Sequence, residues 1–151
     1  MGLTDADLLA ISFVAEADFR AEADHIAIAY RLAELARQRR TTLRETVLAY
    51  VSIWKPHVRT PRARWVRALR PTCEEPDGWP QRWTWRPELC LAVFERARAF
   101  MRGELRDTCP RAQHWGGTMD VPQGRMVPVK CRARTANTFY AVAASDARGG
   151  R

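Results

Sequence analysis

The sequence predicts a mainly α fold with a small β element near the C-terminus, and three observations carry that prediction. Apolar residues recur at helical spacing through residues 4–51 and again through 88–102. Between those blocks Pro56, Pro61, Pro71, Pro76 and Pro80 break the spacing. Beyond Gly103 the punctuation becomes Gly116-Gly117, Pro122, Gly124 and Pro128, separating short extended runs. At 151 residues, 46% of them apolar, the chain suits one domain spanning 1–151 with enough apolar side chain for a core.

Thr4 is placed to cap a first helix, whose Leu8, Leu9, Ile11, Phe13 and Val14 give a broad apolar face and which should end near Arg20. A second helix is expected from 21–24 to Arg39. Its Ile26, Ile28, Ala29, Tyr30, Leu32, Ala33 and Leu35 mark it as the central buried helix, and Arg37, Arg39 and Arg40 suit its C-terminal dipole. Thr42-Leu-Arg-Glu45 has the form of a capping box for a short third helix with Leu43, Val47, Leu48 and Val51. The proline-broken segment leaves room for one short helix, Arg62 to Leu69, and is otherwise loop. Pro87 opens a strong helix from Glu88 to Arg102, with Leu89, Val93, Ala97 and Phe100 on one face and Gly103 as its stop. Met126-Val-Pro-Val129 and Thr138-Phe-Tyr-Ala-Val142 supply two or three small strands, and residues 145–151 should form a frayed tail.

The charge is strongly basic: 25 Lys and Arg give a net charge of +8, and Lys55 and Lys130 are the only lysines. Such a surface suits nucleic-acid phosphates or the carboxylates and phosphates of a cell wall, because long-range attraction does not separate them. A high-GC genome produces the same arginine bias. No stretch reaches the ~20 apolar residues of a membrane span, and the acidic N-terminus lacks the basic region of a secretory signal. Cys73, Cys90, Cys109 and Cys131 contain no C-x-x-C pair. They read either as four buried thiols or as two disulfides, and as disulfides the neighbours pair, Cys73 with Cys90 and Cys109 with Cys131. Bridges imply an oxidising place of work, reached without an export signal by way of a phage particle or a lysis device.

No phosphate-binding loop, dinucleotide fingerprint, H-E-x-x-H or nucleophile elbow is present. His25, His57 and His114 lack a second ligand at helical spacing, so neither a metal nor a cofactor is expected. Trp54, Trp65, Trp79, Trp83 and Trp85 crowd the irregular segment, where they either plug a small core under the loops or offer a surface for stacking sugars or bases. Glu16 stands out because Phe13, Val14 and Ala17 flank it on a helix. Apolar surroundings disfavour a charged carboxylate, which is the environment a general acid requires.

Ala15-Glu16-Ala17 with Glu22, followed by the small-residue helix Ile26 to Leu35 with Arg31, resembles the opening of the cell-wall hydrolases related to the spore-cortex lytic enzymes. Asp107-Thr-Cys-Pro-Arg-Ala-Gln-His-Trp115 resembles that family's loop after the last long helix, with Ala112, His114 and Trp115 matching best, and Asn137-Thr-Phe-Tyr140 resembles its closing strand. The likeness spans about residues 8 to 142. Two features depart from it: Phe19-Arg-Ala, rather than a Gly, precedes Glu22, and the Trp-rich segment 54–86 has no counterpart. The resemblance implies a lysozyme-like α+β domain that cleaves peptidoglycan glycan strands, as muramidase or lytic transglycosylase, with Glu16 as the single general acid/base and the substrate's own N-acetyl group in place of a second carboxylate. Around that acid it implies substrate contacts from Tyr50, His114, Trp115, Phe139 and Tyr140. The implied setting is the bacterial envelope or a virion, with a phage tail or baseplate as the assembly partner. Two rival readings are a basic helical nucleic-acid-binding protein and an inactive lysozyme-like structural protein of a tail or baseplate.

Overall fold

The computed structural model describes residues 2–116 and 125–143. The predicted punctuation at Gly117, Pro122 and Gly124 and the predicted tail at 145–151 lie outside the described residues. Helix α1, Asp5–Ala17, begins with a reciprocal cap in which the Asp7 amide donates to Thr4 Oγ1 at 3.1 Å and the Thr4 amide to Asp7 Oδ2 at 2.9 Å. Every residue from Leu8 to Val14 is buried. Helices α2, Glu22–Arg39, α3, Leu43–Tyr50, α4, Pro61–Arg67, and α5, Pro87–Met101, all pack against α1, which is therefore the central helix of the core.

That place was expected for α2. The difference follows from charge: Leu8 to Ala15 contains no charged residue, whereas α2 interleaves its apolar positions with Arg31, Glu34 and Arg37 and buries fully only over residues 24–29, Leu32 and Ala36. Ser12, buried in α1, donates to the Leu8 carbonyl at 2.7 Å and accepts from Trp54 Nε1 at 2.9 Å, so its hydroxyl carries no unpaired cost. Helix α1 also stops at Ala17, earlier than its pattern suggests, because Asp18 leaves helical geometry at φ 64° and ψ 168°.

The remaining ends follow local chemistry. Thr42 and Glu45 form the expected capping box on α3, Thr60 caps α4 with Pro61 in its first turn, and Pro87 opens α5. A 3-10 turn, Ser52–Trp54, follows α3. Three short strands, β1, His114–Gly116, β2, Met126–Pro128, and β3, Thr138–Val142, form an antiparallel sheet in the order β1-β3-β2. Trp115 lies opposite Phe139 in this register, and His114 opposite Tyr140. The sequence places β2 and β3 but not β1, which pairs with a strand more than twenty residues away and has no alternation of its own.

Both cysteine pairs are bridged: Cys73–Cys90 ties the Trp-rich segment to α5, and Cys109–Cys131 ties the loop before β1 to the chain after β2. Among the described residues no helix is long and apolar enough to cross a membrane.

Candidate functional site

Helix α1 delivers Glu16, half-buried, in its last turn. The last carbonyls of a helix lack their usual partners within it, and here two side chains supply them. The Arg62 guanidinium donates to the carbonyls of Val14 at 2.9 Å and Ala15 at 3.2 Å, while Asn137 Nδ2 donates to that of Glu16 at 3.1 Å. The Glu16 carboxyl is itself oriented, because Trp115 Nε1 donates to its Oε2 at 3.1 Å. Backbone and side chain of Glu16 are thus held by β1 and by the segment that enters β3.

Asn137 owes its position to Asp24, a carboxylate 1% exposed near the start of α2. Asp24 accepts from the amides of Ala136 at 2.8 Å and Asn137 at 2.7 Å and from Asn137 Nδ2 at 3.0 Å. Three donors offset the desolvation that burying a carboxylate incurs. The connection runs Asp24 to Asn137 to Glu16 and links α2 to the end of α1.

The turn between α1 and α2 is locked from the other side by His25, which is fully buried and stacked on Phe13 with centroids 4.9 Å apart and planes 2° from parallel. An Arg96 nitrogen lies 2.8 Å from His25 Nδ1, and because a guanidinium only donates, Nδ1 is the acceptor. The ring proton therefore sits on Nε2, which donates to the Asp18 carbonyl at 2.5 Å. Burial, then the nearby Arg96 charge, pushes the His25 pKa down to about 3, against the opposing pull of the Asp18 bond, so the ring is neutral at physiological pH. Asp18 occupies a backbone region nearly reserved for glycine, which persists only where its surroundings determine it, and His25 is such a determinant. Glu22 is exposed and pairs at 3.9 Å with Arg96, whose side chain is mostly buried against His25.

Tyr50 and Trp115 meet with ring centroids 5.9 Å apart and line a cavity of about 610 Å³ together with Tyr30, Arg31, Asp107 and Gln113. Arg31 organises the far wall: it pairs with the Asp107 carboxylate and donates to the carbonyls of Cys109 and, at 2.8 Å, Ala112. One guanidinium thereby fixes the loop that leads into β1.

Of the residues singled out in the sequence, Trp115 meets both Glu16 and Tyr50. His114 is half-buried, 6.0 Å from Trp115 between ring centroids, and its buried Nε2 has no partner among the described residues. Phe139 and Tyr140 are 1% and 4% exposed, so both rings are packing residues with no face turned to a ligand. Asp24, His25, Arg96 and Arg62 escaped the sequence reading as parts of the site. The one signal for the first two was Asp24-His25 set against the apolar Ile26 to Ala29, a charged and polar pair that must find partners if the helix is buried there. Comparison with known proteins finds no protein-family model, no curated protein and no solved structure that matches the chain.

Proposed function

We propose that the protein cleaves peptidoglycan glycan strands, as a muramidase or lytic transglycosylase with a lysozyme-like fold, and that Glu16 is its general acid/base. The observation that supports this most is the Glu16 carboxyl held by the indole N–H of Trp115, a residue that also lines the Tyr50 cavity. A proton donor must be aimed, and the helix end beneath Glu16 is tied down at three consecutive carbonyls.

In the proposed reaction Glu16 gives its proton to the glycosidic oxygen as the bond from that oxygen to the muramic-acid C1 breaks. The substrate's acetamido oxygen stabilises the positive C1. Attack by the sugar's own C6 hydroxyl, with return of its proton to the Glu16 carboxylate, gives an anhydro-sugar. Attack by water with the same proton return gives a reducing end. Either route regenerates the protonated acid. The half-buried Tyr50 ring on the cavity wall suits the flat face of a pyranose ring. The two disulfides support work in an oxidising compartment, the envelope or a virion, with a tail or baseplate as the assembly that carries the protein there. Mass spectrometry of sacculi incubated with the protein tests the reading: new glycan ends, reducing or anhydro, are expected, and intact strands with only peptide bonds cut would contradict it.

A further inference from the structure

We infer that a second cleft, at the turn just beyond Glu16, binds the acidic peptide substituents carried by the glycan. This rests on the proposed glycan substrate. The cleft holds about 610 Å³ and is walled by Arg20, Arg62, Arg82, Arg86, Trp83 and Asp18, the last being two residues past Glu16. Its volume matches one small ligand and not a long tract of polymer.

Trp83 is 45% exposed, yet it is not loose. Its carbonyl accepts from Trp79 Nε1 at 2.8 Å, the Arg82 guanidinium lies over its ring at 5.0 Å, and Trp79 packs against Trp65 below with centroids 4.5 Å apart. An indole held in place with nearly half of its surface exposed, and with one cation already at its ring, offers its uncovered part as a stacking surface. The lower tryptophans are the core plug and Trp83 is the platform, so the two readings of the aromatic segment apply to different residues.

The charges identify the ligand. Arg62 is engaged with the α1 carbonyls and Arg86 with Glu88 at 3.5 Å, whereas Arg20 and Arg82 make no salt bridge among the described residues. Two guanidiniums without a carboxylate partner, Arg82 resting on the Trp83 ring, match two carboxylates, which guanidiniums bind in bidentate fashion. Asp18 shares the same wall, and its carboxylate opposes a continuous polyphosphate while accommodating an amine. A short peptide with several carboxylates and one amine, attached beside a sugar that stacks, has that pattern, and the stem peptide of peptidoglycan is such a group.

The test uses the Glu16→Gln protein, so that ligand is not consumed, and a soluble peptidoglycan tetrasaccharide bearing stem tetrapeptides, compared with the same compound after methyl esterification of its carboxylates. Calorimetry should show the native acid binding about tenfold or more tighter than the ester, one charge-assisted contact being enough for that ratio. Arg20→Gln with Arg82→Gln, both exposed positions, should erase the difference, and Trp83→Ala should weaken both ligands. Equal affinity for acid and ester, or a difference that survives the double substitution, overturns the inference. So does an oligothymidylate that binds more tightly than the glycopeptide and is lost with the same two arginines. Wild-type cleavage of sacculi without acid preference removes this cleft's role and leaves Glu16 standing. Acid-dependent binding without any cleavage keeps the cleft and removes the reaction.

Discussion

At the scale of single residues the structure separates what Trp115 does by its bulk from what it does by its N–H. It is 8% exposed, so Trp115→Ala empties part of the core and should cost ~3–5 kcal/mol in urea unfolding. Trp115→Phe keeps most of the ring volume and removes the donor to Glu16. Turnover of sacculi should then fall about tenfold, the kinetic equivalent of one hydrogen bond to a charged group, with much less loss of stability. Unchanged turnover in Trp115→Phe contradicts a role in aiming the acid. Asp24→Ala tests the anchor behind Asn137 in the same way: it strands two backbone amides, and ~3 kcal/mol or more of stability should go with it. A loss below ~1 kcal/mol would mean that Asn137 is held by other contacts.

Among the elements, the turn from α1 to α2 carries a pH dependence with a definite sign. An unfolded histidine takes up a proton near pH 6.5, whereas folded His25 resists it down to about pH 3. Between those values the unfolded chain binds more protons, so the stability that neutral His25 contributes is complete above pH 6.5 and is lost as pH falls from 6.5 toward 3. Denaturation midpoints measured across that window should rise with pH, and His25→Asn should flatten the rise. An equal slope in both proteins contradicts a buried neutral imidazole. The starts of α1, α3 and α5 were legible because their chemistry is local: Thr4 with Asp7, Thr42 with Glu45 and Pro87 each act within four residues, whereas the stop of α1 at this turn depends on the longer-range contact that holds Asp18. The order of burial was not legible, since it turns on which of two apolar helices receives neighbours on every side. Nor were the partners of Glu16, because Trp115 and Asn137 lie 99 and 121 positions further along the chain.

At the scale of the whole molecule, one continuous core ties the helical part to the sheet, and the two disulfides each close a local stretch of chain. The oxidised protein, denatured without reductant, should show no free thiol by titration, and four reactive thiols would remove the support for an envelope or virion setting. Loss of the Cys109–Cys131 bridge should cost ~2–4 kcal/mol and should also loosen the loop that presents Trp115. The mainly helical class with a small C-terminal sheet was readable from spacing and punctuation, whereas the arginine and tryptophan cleft was not, because its walls come from three separated stretches of chain. Everything proposed for the reaction depends on one proton, and the direct measurement is turnover of purified sacculi by wild type, Glu16→Gln and Glu22→Gln. Glu16→Gln keeps the shape and removes the transferable proton, so its turnover should fall ~100-fold or more, the scale of general acid catalysis, while Glu22→Gln, which alters the 3.9 Å pair with Arg96 from its exposed side, stays near wild type. Wild-type turnover in Glu16→Gln would contradict Glu16 as the acid.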